Sequence, residues 1–120
     1  LTFNTSETLR VLLEDVNNEI FDTYLIEVRD GVKLIAAGIF DVGLNSIAGI
    51  KNFFDPEYKK YTPGKNLMLI KYEYCLKNGL IWYYPGYIAP GNPRFDYKLF
   101  LDKSATAFFD KVDAVWKSYL

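Results

Sequence analysis

The residues best suited to chemistry are concentrated between positions 81 and 100, in the stretch IWYYPGYIAPGNPRFDYKLF. Tyrosines are interspersed there with prolines and glycines, and no charge occurs before Arg94. A tyrosine ring buries apolar area while its hydroxyl needs a partner, which a polar ligand in a cleft can provide. Arg94, Asp96 and Lys98, with Asp55 upstream, could supply charge to such a cleft. Two interpretations remain open: the rings fill a core, or they line a binding cleft.

A second candidate site lies at a predicted helix start, Thr62-Pro63-Gly64-Lys65-Asn66. Proline suits the first helical turn, where unpaired backbone N–H groups attract anions, and Gly64 would let a ligand approach the backbone closely. Lys59, Lys60 and Lys65 add positive charge. An ordinary capped helix with solvated lysines explains the same residues, so both interpretations stay open.

The composition excludes several kinds of site. The 120 residues suit one domain, residues 1–120; half are apolar and 18% are aromatic. A net charge of −1 gives no global support for nucleic-acid binding. Because the chain has no histidine, Ser-His and Cys-His catalysis are excluded, and we expect no metal site. Cys75 is a lone cysteine and cannot form an internal disulfide.

The sequence contains no recognisable signal peptide or membrane span. Its longest uncharged stretch, residues 78–93, is interrupted by Pro85, Pro90 and Pro93. We therefore expect a cytoplasmic protein without membrane contact. The chain starts at Leu1 rather than Met, and we expect it to be the C-terminal part of a longer protein.

Hydrophobic spacing and turn signals predict eight elements. They are a helix near 5–16, strands at 23–28, 34–40 and 46–54, a helix at 63–77, strands at 80–84 and 95–101, and an amphipathic helix at 104–120. Asp30-Gly31 is a hairpin signal, and the apolar run LIAAGIF indicates a strand buried on both faces. In the middle helix, two apolar arcs predict packing on two sides, with Cys75 as a structural residue.

The middle of this order predicts where a ligand would bind. A strand, a helix and a second strand in one sheet imply a parallel, right-handed crossover. Ligands favour the crevice at the carboxyl ends of such strands. The segment with Tyr84, Gly86 and Tyr87 leaves the second strand on that side, so we expect it to lie near the Gly64 loop and to wall the crevice.

An ordered set of motifs resembles the C-terminal domain of arginyl-tRNA–protein transferases. The motifs span about residues 20 to 100 and are Phe53-Phe54-Asp55-Pro56, Lys59-Lys60, Pro63-Gly64, Tyr84-Pro85-Gly86-Tyr87, Gly91-Asn92 and Arg94-Phe95-Asp96-Tyr97-Lys98. The chain departs from the family pattern at Asn92, where the family has Cys, and at Arg94-Phe95, where it has Lys-Met. The family's Leu-Gly loop is Pro63-Gly64 here, and its Cys-rich N-terminal domain is not in this chain.

The resemblance implies a fold and a reaction. The fold is α+β with α/β/α layers: a GNAT-like acyltransferase fold with a mixed, mostly antiparallel sheet and one parallel strand–helix–strand crossover. The reaction is transfer of an arginyl or leucyl group from aminoacyl-tRNA to the N-terminal amine of a protein or peptide, with no further cofactor.

For such a reaction the candidate catalytic residues are Tyr87, Tyr97, Lys98 and Asp55. An aminoacyl ester is already activated, so the enzyme needs positioning, a proton route and a donor to the developing oxyanion. Tyrosine hydroxyls could donate to the oxyanion, and a carboxylate could accept a proton or hold the acceptor's amino group. The candidate substrate-binding residues are Lys60, Gly64, Lys65, Tyr84, Gly86, Arg94 and Asp96.

Each candidate also has a structural interpretation, and two alternative functions remain. Tyr87 and Tyr97 could be core hydroxyls, Asp55 a turn residue and Asp96 a partner of Lys98. The chain could instead be a GNAT-type N-acyltransferase that uses acyl-CoA, although the loop pattern is incomplete at residues 61–66. It could also be a non-catalytic module that binds a peptide amino terminus or another subunit through the aromatic cleft.

Overall fold

The computed structural model describes residues 21–89 and 91–119, except for the side chains of Phe95 and Asp96. These residues form two compact units that divide after Gly86. The predicted helix near residues 5–16 lies outside the described residues. The single domain over residues 1–120 stays a prediction.

The first unit is a four-stranded mixed sheet with one long helix. It contains β1 (Asp22–Asp30), β2 (Lys33–Val42), β3 (Ser46–Phe54), a 3₁₀ helix (Pro56–Tyr61), α1 (Pro63–Lys77) and β4 (Trp82–Tyr84). The strand order is β1-β2-β3-β4, with antiparallel pairing except for the parallel pair β3–β4. The antiparallel meander, the helix and the parallel strand after it are confirmed. The result is an α+β architecture with a mostly antiparallel sheet.

The β1–β2 hairpin turns at Gly31, where the backbone φ of 60° lies in the left-handed region that favours glycine. The strand β2 is buried on both faces, as its apolar run predicted. Phe40, on the face toward α1, is fully buried, and Ile39 on the opposite face is buried as well. Because β2 lies between β1 and β3, its backbone groups are paired on both sides.

The helix α1 packs on the sheet through one face. Pro63 occupies its first turn, and the chain leaves it at Gly79, with φ 64°. Tyr74 meets Phe40 edge to face with ring centroids 5.0 Å apart. Leu69 and Leu76 are exposed, so the two-sided packing predicted for this helix is wrong at those positions.

One hydrophobic core fills the space between the sheet and α1. Its buried members are Ile26, Val28, Ile35, Ala36, Phe40, Ile47, Leu67 and Cys75. The Cys75 thiol contacts the carbonyl oxygens of Leu80 and Trp82 at 3.4 and 3.5 Å. Burial raises the pKa of this thiol, which disfavours the nucleophilic thiolate. Cys75 is therefore a packing residue, as predicted.

The second unit contains a 3₁₀ helix (Pro93–Leu99) where a strand was predicted at residues 95–101. That prediction is wrong. Asn92 precedes the 3₁₀ helix, and its side-chain oxygen accepts a hydrogen bond from the Arg94 backbone N–H at 3.1 Å. Pro93 follows with its φ already suited to a helical turn. This capping interaction starts a helical turn in a stretch whose composition had indicated a strand.

The second unit also contains a hairpin, β5 (Ala107–Asp110) and β6 (Val115–Ser118), where an amphipathic helix was predicted at 104–120. The helix prediction is wrong because local turn chemistry breaks the helical spacing. The Asp110 carboxylate accepts from the backbone N–H of Val112 at 2.9 Å and from the Lys117 ammonium at 2.6 Å. Ala114 has a φ of 56°. Phe109 and Trp116 then pair across the strands, their ring centroids 5.5 Å apart.

Candidate functional site

The first unit has a step in its sheet, where β4 ends and β3 continues. Among the described residues, β4 pairs with β3 only from Ser46–Trp82 to Ala48–Tyr84. The remainder of β3, from Gly49 to Phe54, extends past the end of β4 while still paired with β2. We call this the β3–β4 step. It lies at the carboxyl end of β4, where the sequence predicted a crevice.

Three polar atoms surround Gly49 at the β3–β4 step. A Cβ atom at this position would lie 3.5 Å from Lys71 Nζ, 3.7 Å from the Tyr83 hydroxyl and 3.7 Å from the Tyr84 carbonyl oxygen. These are ordinary contact distances, so the position can hold one carbon-sized atom without a clash. We call this arrangement the Gly49 cradle. A ligand atom there would contact an amine, a hydroxyl and a carbonyl at once.

Lys71 is a lysine in the interior of the unit, with 1% of its surface exposed. Its Nζ donates to Asn52 Oδ1 at 2.7 Å, and no described carboxylate forms an ion pair with it. The aliphatic stem passes close to Gly38, where a Cβ would lie 3.3 Å from Lys71 Cε. Because burial without a counter-ion disfavours the charged form, the pKa of Lys71 is lowered to about 8.

A bulge in β3 brings Asn52 and Gly49 to the same face of the sheet. Ile39 pairs with Lys51 and Phe40 with Gly49, so two residues of β2 face three residues of β3. The extra residue is Ile50. Since side chains alternate along a regular strand, residues three apart would otherwise point to opposite faces. The bulge therefore orients both toward α1, where Lys71 lies.

Lys71 and Asn52 were not among the site residues predicted from the sequence. A lysine in a helix is usually solvated, and Lys71 interrupts both apolar arcs. One signal was available: Lys71 lies four residues after Leu67 and four before Cys75, and both neighbours are buried. Residues at that spacing share a helix face, so a lysine between two core positions is a candidate buried lysine. Asn52 left no comparable signal, because its orientation depends on the bulge.

Asp55 is held by local structure. Its carboxylate accepts from the Glu57 backbone N–H at 3.0 Å and contacts Lys33 Nζ at 3.1 Å. Both contacts hold the pKa of Asp55 below its usual value, and the hydrogen bond from the Glu57 backbone has the larger effect. Asp55 therefore caps the 3₁₀ helix at Pro56–Tyr61, which agrees with its structural interpretation.

Lys60, Gly64 and Lys65 lie around the start of α1. Both lysines are exposed, and Lys60 Nζ is 5.1 Å from the centre of the Tyr61 ring. No atom lies within 4 Å of a Cβ built at Gly64. The backbone there is open to a ligand, but nothing in the packing requires a glycine.

Tyr84 and Gly86 follow the β3–β4 step directly. The Tyr84 carbonyl oxygen belongs to the Gly49 cradle, whereas 41% of the Tyr84 side chain is exposed. Gly86 has a φ of 113°, which side chains rarely permit. Of the predicted residues in the first unit, Tyr84 is the one whose atoms reach the cradle.

The second unit brings Tyr87 and Lys98 together. Lys98 Nζ donates to the Tyr87 carbonyl oxygen at 2.9 Å and lies 5.2 Å from the centre of its ring. Burial lowers the pKa of Lys98. Arg94 and Tyr97 lie on the 3₁₀ helix with exposed side chains. Asp96 lies on the same helix, but its side chain is not described, so its predicted pairing with Lys98 is untested.

Two classes of site have no support in the described part of the chain. No three acidic or cysteine side chains there are grouped so that they could hold a metal ion. No helix there is long and apolar enough to cross a bilayer.

The amino-acid sequence matches a known protein family. The family described as "Arginine-tRNA-protein transferase, C terminus" matches residues 4–106, which is most of the chain. The protein therefore belongs to this family of transferases, as the motif set in the sequence had indicated.

The similar curated proteins carry the name aspartate/glutamate leucyltransferase. The protein from Hyphomonas neptunium is 32% identical over 95 residues, covering 76% of this chain and 38% of that protein. The Vibrio vulnificus protein is 28% identical over 82 residues, covering 68% and 35%. The protein from Shewanella sp. strain MR-7 is 32% identical over 73 residues, covering 61% and 31%. The chain thus spans about a third of the length of these relatives.

Proposed function

We propose that this chain carries the acyl-transfer part of a protein that moves an aminoacyl group from aminoacyl-tRNA to the amino terminus of an acceptor protein. The match to the transferase family over residues 4–106 carries the proposal. The names of the relatives favour leucyl transfer, and the family name favours arginyl transfer. A cytoplasmic location would give such a protein access to its donor.

A GNAT-like acyltransferase fold is part of the proposal. An antiparallel meander, a helix and a parallel strand that ends early agree with that fold. The β3–β4 step then provides the place for the aminoacyl ester. There, the acceptor nitrogen attacks the ester carbonyl carbon, the new C–N bond forms, and the C–O bond to the terminal ribose breaks.

The residues predicted from the motifs complete the proposal. Lys60, Lys65 and the open backbone at Gly64 would hold phosphates of the donor near the start of α1. In the second unit, Tyr97 would donate a hydrogen bond to the bound donor, and Arg94 and Lys98 would bind phosphate or an acidic acceptor residue. Tyr87 would hold Lys98 in place, because its carbonyl oxygen already accepts from that ammonium.

The test is a transfer assay with the complete gene product and with this 120-residue chain. Donors are arginyl- and leucyl-tRNA with a labelled amino acid, and acceptors are peptides that begin with Asp, Glu, Arg or Lys. Acetyl-CoA is added as a competing acyl donor. We expect label at the peptide amino terminus with one of the two tRNAs, and no competition by acetyl-CoA.

Variants test whether the second unit contributes to substrate binding. Tyr97→Phe and Lys98→Ala should each lower transfer by about tenfold or more, as loss of one charged or hydroxyl contact to a substrate does. Lys111→Ala, at an exposed turn of the same unit, is the matched control and should leave transfer unchanged. Absence of transfer with either tRNA, together with binding of acyl-CoA or peptide alone, would refute aminoacyl transfer.

A further inference from the structure

The Gly49 cradle is the feature that the proposed function leaves unexplained. An isolated lysine costs free energy in a protein interior, because the ammonium loses its water and gains only one neutral partner here. Methionine or leucine would fill the same space without this cost. A buried lysine of α1 beside the β3–β4 step therefore calls for a chemical explanation.

Aminoacyl transfer has a step that needs such a group. An α-amino group has an ordinary pKa of about 7.7 to 8.0, and its nitrogen must lose a proton as it becomes an amide. A base in contact with the attacking nitrogen speeds this step when its own pKa lies near the working pH. Burial can lower the pKa of a lysine side chain into that range.

The cradle has the contacts that an attacking amine requires. The Tyr84 carbonyl oxygen can accept one N–H of the neutral amine, which leaves its second N–H for Lys71. Lys71 Nζ is 3.5 Å from the same point, which is within reach of proton transfer after a small adjustment. Gly49 matters because a side chain at this position would occupy the space that the nitrogen needs.

We propose that Lys71 is the general base of the transfer and contacts the acceptor's α-amine in the Gly49 cradle. This inference rests on the proposed aminoacyl transfer. Neutral Lys71 takes one proton from the nitrogen as the C–N bond forms. The ester C–O bond breaks, and the ribose oxygen leaves with the electron pair. That oxygen takes the proton from the Lys71 ammonium, which restores the neutral base.

The other candidate bases are less suited. Asp55 is engaged by Glu57 and Lys33, and the Lys98 ammonium donates to the Tyr87 carbonyl. With a pKa of about 8, about a tenth of Lys71 is neutral at pH 7.

The surroundings of Lys71 make its titration simple to interpret. β3 contributes Asn52 and Gly49, β2 contributes Gly38, and β4 contributes the Tyr83 hydroxyl, the one titratable group described at the cradle. Desolvation alone lowers the pKa of Lys71, without help from a neighbouring charge. With an acceptor that does not itself titrate near pH 8, a rise in activity through pH 8 would therefore follow the neutral form of Lys71.

The experiment compares two acceptors in the complete gene product. One peptide carries an ordinary α-amine, and the other carries an aminooxy group. The aminooxy nitrogen is far less basic, so it is already unprotonated near pH 8 and depends less on a base to lose its proton once the C–N bond forms. The donor is whichever of arginyl- or leucyl-tRNA supports transfer. The variants are Lys71→Met, which keeps the length of the side chain, and Lys71→Arg, which keeps a permanent charge. Lys77→Met, an exposed position on the same helix, is the control.

We expect the Lys71 variants to lose activity mainly with the α-amine acceptor. With the α-amine acceptor, Lys71→Met and Lys71→Arg should lower kcat/KM by about a hundredfold or more, the usual contribution of a general base. With the aminooxy acceptor the loss should be at least tenfold smaller. Wild-type transfer to the aminooxy peptide should still rise through about pH 8, and Lys71→Met should remove that rise. Lys77→Met should match the wild type throughout.

Three outcomes would overturn the inference. Equal losses with both acceptors would make Lys71 a packing residue. Activity within about twofold of wild type in both Lys71 variants would exclude the base role while leaving aminoacyl transfer intact. Failure of the wild type to transfer to either acceptor would refute the proposed function itself, and the inference with it.

Discussion

Lys71 Nζ and Asn52 Oδ1 lie 2.7 Å apart in the interior of the first unit, joining the middle of α1 to the end of β3. This hydrogen bond is the one described polar contact of a nearly fully buried lysine. It depends on the bulge at Ile50, which turns Asn52 toward the helix. The stability of the unit and the protonation of the cradle are therefore linked through one side-chain pair.

Replacing Lys71 with methionine should stabilise the fold at neutral pH. The folded-state pKa of about 8 lies below the ordinary 10.5, so the unfolded chain binds more protons between these values and stability rises with pH. At pH 7 Lys71→Met should raise the free energy of unfolding by about 1 to 3 kcal/mol. Urea unfolding at several pH values measures this gain, which should shrink toward pH 10.5. Lys77→Met should leave the free energy of unfolding unchanged at every pH. If Lys71→Met stabilises the fold equally at every pH, the gain does not come from removing a buried charge.

Replacing Asn52 with alanine should have the opposite effect. The Lys71 ammonium would lose its hydrogen-bond acceptor and remain buried, which costs roughly 1 to 3 kcal/mol of stability at pH 7. The pKa of Lys71 should fall further below its ordinary value, because the charged form loses its one partner. Nuclear magnetic resonance titration of lysine labelled at Cε measures this directly. When Lys71→Met is also present, Asn52→Ala should cost little free energy of unfolding. If the full cost persists in this double variant, Asn52 stabilises the fold through another contact.

Replacing Gly49 with alanine should lower transfer without destabilising the fold, whereas replacing Gly38 with alanine should destabilise the fold. At Gly49 the new Cβ makes ordinary contacts, the nearest at 3.5 Å, so the free energy of unfolding should change by less than about 1 kcal/mol. Transfer to an α-amine should fall by about tenfold or more, because the methyl group fills the cradle. Thermal unfolding and the transfer assay measure the two effects, and unchanged transfer would exclude Gly49 from the site.

The matched variant is Gly38→Ala. Its Cβ would lie 3.0 Å from Asn52 Oδ1 and 3.1 Å from Leu67 Cδ2, closer than packed atoms normally approach. We expect a loss of about 1 to 3 kcal/mol in the free energy of unfolding. Equal stability of the Gly38 and Gly49 variants would show that the two sites are not packed as described.

The β5–β6 hairpin should loosen in acid. Hydrogen bonds from the Lys117 ammonium and then from the Val112 backbone N–H lower the pKa of Asp110 from its ordinary 3.8. The carboxylate therefore stabilises the hairpin above that value, and this contribution is lost as the pH falls through the lower folded pKa. Amide hydrogen exchange of Phe109 and Trp116 measures the loosening. Asp110→Asn should remove its pH dependence, and an unchanged profile would contradict the role of Asp110.

Local signals in the sequence predicted the first unit closely. The limits of β3 and α1 agree with Ser46–Phe54 and Pro63–Lys77 residue by residue. Glycine turns, a proline at a helix start and a continuous apolar run act over a few residues, so they can be read without the fold. The same approach failed for residues 95–101 and 104–120, because hydrogen bonds to the Asn92 and Asp110 side chains outweighed the hydrophobic spacing.

The sequence by itself determined the family, the meander, the crossover helix and the parallel strand that follows it. Only the tertiary structure placed Lys71, Asn52 and Gly49 around one point. Their meeting depends on the register of β2 and β3, on the bulge at Ile50 and on the face of α1 that is buried. Each of these is a long-range packing outcome, because a strand pairs in the register that buries its apolar face best, and no local signal specifies the partner residue.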